Sequence, residues 1–216
     1  MAITDYTALK SALQSYAARS DTKFSAQIPN FVAQAEERIY NGSGDSPQDP
    51  TYSPPLRSKA LEFTTTIAFT AGSGVVPDEC MDLRKIYVVG QLTGIKYLSP
   101  ERFAVQAAND SGTPRWYTVE GSVISVTPDT TGVLAVDYYR RLSPITDTNV
   151  TNAVITAHGL IYLEMALFEA FSWMQEVDLA LGHIAKGRSM VSGANRVSER
   201  LRFSGKLSIQ PRTAIP

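Results

Sequence analysis

The chain is poor in the residues that most enzymes depend on. It has one cysteine, Cys80, so it can form no internal disulfide and no cysteine-based metal site. It has two histidines, His158 and His183, each set among apolar neighbours on predicted helices, where a structural role fits better than catalysis. No His-Glu-x-x-His, Cys-x-x-Cys, phosphate loop or nucleophile elbow occurs. Gly42-Ser-Gly44 and Gly72-Ser-Gly74 lack a following Gly-Lys-Ser/Thr and read as turns. The start, Met1-Ala-Ile-Thr-Asp-Tyr6, has no basic stretch leading into an apolar run, which argues against a secretory signal. The most apolar window, Ile155–Met174, is interrupted by His158, Glu164 and Glu169, and so is a poor candidate to cross a bilayer. With 44% apolar and 19% charged residues over 216 positions, the chain has the composition of a folded protein with a sizeable core.

The densest acidic group, Asp78, Glu79 and Asp82, could in principle hold Mg²⁺ or Ca²⁺. It follows Pro77 and precedes a predicted strand, where acids also serve a turn. The expectation is therefore no metal and no cofactor. Cys80 lies inside this group, and negative neighbours should raise its pKa and blunt it as a nucleophile. The sequence thus predicts a protein that is not an enzyme.

Charge is unevenly distributed. From His183 to Pro216 there are seven basic residues and one acid, net +6, against net −7 for the preceding 182 residues. The basic set is Lys186, Arg188, Arg196, Arg200, Arg202, Lys206 and Arg212. The end, Lys206-Leu-Ser-Ile-Gln-Pro-Arg212, alternates apolar and polar residues until Pro211. One short strand cannot order itself and needs a sheet edge, here expected to belong to a partner. Nucleic acid is an alternative target of this basic arm. Against it stand the overall charge of −1 and the single aromatic, Phe203, in the arm.

The hydrophobic period changes twice. Thr4 or Asp5 can cap a helix carrying Leu9, Leu13 and Tyr16; Pro29 suits the first turn of a second, carrying Phe31, Val32, Ala35 and Ile39. Asn41-Gly-Ser-Gly44 and the four prolines of residues 45–55 read as a loop. Alternation then predicts strands at 63–70, 85–89, 116–120, 123–127 and 133–139, with a short helix near Phe103. After Pro144 the helical period returns. Residues 158–175 are apolar nearly all round, so this helix is central in its bundle or is covered on a second side, at Ile161, Met165, Phe168 and Trp173, by another subunit. A last helix, interrupted by Gly182, Gly187 and Gly193, is expected to reach about Phe203.

The predicted fold is α+β: a helical bundle with an inserted small antiparallel β domain and an extended C-terminal tail. The expected boundaries are 1–50 for the first helices, 51–148 for the β-rich insertion, 149–203 for the last helices and 204–216 for the tail.

Read in order, these segments resemble the head–tail adaptor (connector, or head-completion) proteins of tailed bacteriophages. The resemblance rests on Ile3-Thr-Asp-Tyr-Thr-Ala-Leu-Lys10 with Phe31-Val-Ala-Gln-Ala-Glu-Glu-Arg-Ile39, and on Val76-Pro-Asp-Glu-Cys-Met-Asp-Leu-Arg-Lys-Ile-Tyr-Val88. Further along it rests on Tyr97-Leu-Ser-Pro-Glu-Arg-Phe103, Val119-Glu-Gly-Ser-Val-Ile-Ser-Val-Thr-Pro128, Val136-Asp-Tyr-Tyr-Arg140 and Leu142-Ser-Pro-Ile-Thr146. It covers about residues 3–175, and the basic stretch after Gly182 lies outside it.

The resemblance implies a structural virion protein of the neck, assembled in the host cytoplasm. Its partners would be the portal protein, neighbouring copies in a ring (usually twelve), tail or nozzle proteins, and genomic DNA passing through the channel without sequence-specific contacts; no membrane is implied. In that setting Leu207 and Ile209 would anchor the tail as an added strand, and Arg196, Arg200, Arg202, Lys206 and Arg212 would pair with acidic portal groups. Ile161, Met165, Phe168 and Trp173 would meet the next subunit. A tail terminator or another connector layer is the alternative within this reading.

Overall fold

The computed structural model describes residues 2–91, 93–107 and 112–202. They form two compact units: a helical one from the residues up to Lys59, Ile145–Thr151 and the described residues from Ile155 on, and a β-rich one from Ala60–Pro144 with Asn152–Val154. The class is mixed α+β. The proline-rich stretch up to Lys59 belongs with the helices.

In the helical unit, α1 spans Tyr6–Tyr16 and is capped by Asp5, whose Oδ1 accepts the Ala8 N–H at 2.8 Å. Helix α2 spans Thr22–Asn41 and is capped by Asp21, which accepts from the Phe24 N–H at 3.0 Å. Pro29 therefore sits inside α2 rather than at its start. Proline removes one backbone donor there. The helix continues because Phe24, Ile28, Phe31, Val32, Ala35 and Ile39 recur on one buried face. Gly42, at φ 76° and ψ −173°, ends α2 in a positive-φ conformation that favours glycine and donates its N–H to the Arg38 carbonyl.

Helix α4, Ala153–Trp173, bends at His158, where φ is −137° and ψ is 38°. Every residue from Ile161 to Phe171 is buried. By length and composition α4 could cross a membrane, but 78% of its apolar window is buried within the chain. Helix α5, Val177–Arg202, is continuous, so Gly182, Gly187 and Gly193 do not interrupt it. Its buried stripe runs Ala180, Ile184, Gly187 and Val191, at helical spacing. Gly187 lets α4 come close: a β-carbon there would stand 2.9 Å from Met165 Cε. The stretch after Pro54 is strapped to α5. Asn195 accepts the Arg57 N–H at 2.6 Å and donates to the Pro55 carbonyl at 2.9 Å, and Ser198 Oγ accepts the Lys59 N–H at 3.1 Å.

The β-rich unit holds β1 (Glu62–Phe69), β2 (Ser73–Val75), β3 (Cys80–Val88), β4 (Gly94–Tyr97), α3 (Pro100–Ala107), β5 (Trp116–Glu120), β6 (Val123–Thr127) and β7 (Gly132–Arg140). The sheet order is β1-β7-β3-β4-β5-β6-β2. β1 and β2, at the two ends of that order, are joined by a tight corner with reciprocal hydrogen bonds between Thr70 and Ser73 (2.9 and 3.0 Å). The result is nearly a closed barrel. β4 runs parallel to β5, so the sheet is not purely antiparallel as expected. Phe69, Ile86, Ile95, Tyr117, Ile124, Val126, Leu134, Val136 and Tyr138 fill the interior. The expected strands are present, and β2, β4 and the first half of β3 are additional.

Candidate partner interface

The cations expected to meet a partner begin on α5. With the helix turning about 100° per residue, Arg196 and Arg200 fall nearly opposite Ala180, Gly187 and Ser198. Both are exposed, and neither has an ion-pair partner among the described residues. Beside them Val197 and Leu201 are 57% and 62% exposed. The Asn195 and Ser198 straps hold one side of this turn against the chain's own loop, so the arginines are presented from a fixed helix. Arg202 is the last residue of α5. Lys206, Leu207, Ile209 and Arg212, and the tail at 204–216 as a whole, lie outside the described residues.

The four apolar residues expected at a subunit boundary separate into two groups. Ile161, Met165 and Phe168 are buried within the helical unit, which makes α4 central in it. Trp173 is 43% exposed. One side of its ring packs on Phe31 and Phe24, with centroids 5.8 and 6.4 Å away, and the Arg19 guanidinium lies 5.9 Å from its centroid. Ile161, Met165 and Phe168 thus offer little surface to a neighbour in this conformation; Trp173 and exposed Leu160 do.

The histidines are placed by packing. His183 Nδ1 lies 2.7 Å from Glu164 Oε2, and its ring stacks on Phe171 at 5.1 Å. Burial holds the His158 imidazole below its ordinary pKa. Among the acids, Asp78 and Glu79 lie in the turn before β3 and Asp82 within it. Among the described residues no group of three or more His, Cys, Asp or Glu is placed to hold a metal. Burial pushes the Cys80 thiol pKa up, with the Asp82 charge a smaller cause than the sequence suggests.

Two buried polar contacts were missed from sequence. Glu36 on α2 is 3% exposed, and its Oε1 accepts from the Ile145 N–H at 3.1 Å and the Tyr162 hydroxyl at 3.0 Å. Arg38 pairs with Glu169, and its guanidinium lies 4.4 Å from the Phe168 ring centroid. The available signal for Glu36 was its spacing: four after Val32 and three before Ile39, it falls on the apolar face.

A helix presenting cations that have no ion-pair partner among the described residues fits a protein that joins other proteins. The family model described as SU10 adaptor protein matches residues 4–209, and the chain belongs to that family of phage head–tail adaptors. The match runs past Gly182, so it takes in most of the basic C-terminal stretch that the sequence resemblance left out. No curated protein matches the chain.

Proposed function

We propose that this adaptor docks on the portal at the head–tail junction, extends the DNA channel and gives tail proteins their platform. The observation that carries this reading is the exposed Arg196–Arg200 face of α5, without an ion-pair partner among the described residues and followed in sequence by a basic segment within the family match. In this proposal Arg196, Arg200, Arg202, Lys206 and Arg212 pair with acidic groups of the portal. Leu207 and Ile209 seat the tail as an added strand. Copies of the chain form a ring, which requires one face of a subunit to meet a different face of the next. Leu160 and Trp173 on α4 are the apolar side chains available for that contact.

Co-sedimentation with the portal ring encoded by the same genome tests the docking. The intact chain is expected to bind. An Arg196→Glu/Arg200→Glu chain and one ending at Gly205 are expected to lose binding. Equal binding by all three would remove the tail and the α5 arginines from the mechanism.

A further inference from the structure

One face of the β unit has the make-up of a second binding surface, independent of the adaptor reading. Lys85 on β3 stands opposite Asp137 on β7, Tyr87 opposite Gly94 on β4, and Lys96 opposite Trp116 on β5. Side chains alternate along a strand, so Lys85, Tyr87, Lys96 and Trp116 share the sheet face turned away from Ile86, Ile95 and Tyr117. Lys85 Nζ lies 4.8 Å from the Tyr87 ring centroid and Lys96 Nζ 5.7 Å from that of Trp116.

A hollow of about 360 Å³ opens beside Trp116, lined by Gln91, Gly94, Lys96, Pro114, Arg115 and Trp116 among others. Among the described residues its lining contains two cations and no carboxylate. Neither Lys96 nor Arg115 has an ion-pair partner among the described residues. Gly94 keeps the floor low, and the Lys85 side chain lies across it, 3.0 Å from where a β-carbon would stand. Asp137, on the same face, accepts from the Thr64 hydroxyl at 2.7 Å and from the Tyr87 hydroxyl at 3.5 Å, which fixes the Tyr87 ring.

Cations around half-buried rings suit a polyanion that carries flat groups. Tyr87 and Trp116 lie two strands apart, roughly 10 Å, room for two separately seated bases. A duplex keeps its bases stacked on one another and cannot use such rings; a single strand can. We propose that this face binds single-stranded nucleic acid, with bases seated on Trp116 and Tyr87 and phosphates held by Lys85, Lys96 and Arg115.

The test is fluorescence anisotropy of a labelled oligo-dT with the full chain. Three phosphate contacts predict an affinity about 20-fold lower at 200 mM than at 50 mM salt. Trp116→Ala should weaken binding about 5- to 150-fold, and Trp116→Phe less. Lys96→Glu/Arg115→Glu, on exposed side chains, should flatten most of the salt dependence. Arg196→Glu/Arg200→Glu should change neither. The proposal fails if oligo-dT does not bind at 50 mM salt, or if only the Arg196/Arg200 pair matters. It also fails if Trp116→Ala has no effect, or if duplex DNA or heparin binds as tightly.

Discussion

The Ile3 backbone lies against Gly159 so closely that its carbonyl oxygen occupies the place of a β-carbon on that residue, with the carbonyl carbon 2.8 Å from it. Glycine just after the bend at His158 thus lets the N-terminal segment cross α4. Gly159→Ala must push that segment aside and should cost about 1–3 kcal/mol. Urea unfolding measures the loss, and limited proteolysis should show earlier cutting near the amino terminus. Unchanged stability would mean that the crossing is not tight.

Glu36 ties three parts of the helical unit through one carboxyl oxygen. Glu36→Ala removes the acceptor for both the Ile145 N–H and the Tyr162 hydroxyl and should destabilise by about 2–4 kcal/mol. Tyr162→Phe loses one contact and should cost about 1–2 kcal/mol. The double variant should lose less than the sum, because the two changes share an interaction. Additive losses in a double-mutant cycle would show the contact to be energetically silent.

The glycines of α5 should respond differently to alanine. At Gly182 and Gly193 a β-carbon meets nothing within 4 Å among the described residues. Each change should stabilise the free chain by about 0.5–1 kcal/mol through helix propensity alone. At Gly187 the methyl meets Met165, so Gly187→Ala should gain none of this, and Gly187→Val should lose about 1–3 kcal/mol. Thermal melts of the series check the order.

Burial of His158 makes stability depend on pH. Its native pKa is lowered from an ordinary value of 6.5, so the native chain binds its proton only at lower pH than the unfolded chain does. Falling pH through 6.5 therefore protonates the unfolded state first, and stability drops until the native imidazole also takes its proton. Above that window the histidine contributes no slope. His158→Asn should flatten this part of the stability profile in urea titrations at pH 5 to 8. An unaltered slope would show that the native imidazole titrates normally.

The alternation of Phe63, Thr65, Ile67 and Phe69 made β1 legible, and the all-round apolar run after His158 marked α4 as either a central helix or one covered by another subunit. What eluded local pattern was set by distant partners. Pro29 looks like a helix start, but the cap at Asp21 and the buried face beginning at Phe24 precede it. Gly187 looks like a helix breaker until Met165 is seen against it. β4 is four residues long and pairs in parallel across α3, which period-two counting cannot show. For the candidate interface, charge asymmetry located α5. The sequence could not show that Asn195 and Ser198 hold that turn, nor that Ile161, Met165 and Phe168 are used inside the unit.

The central claim concerns where the chain sits in a particle. A single-particle reconstruction of the head–tail junction, from virions whose genome encodes this chain, tests it most directly. The account predicts a ring of copies between portal and tail, with Arg196 and Arg200 of α5 facing portal carboxylates. Virions whose junction contains no copy of the chain, or a ring that meets the portal through the β unit instead, would contradict it.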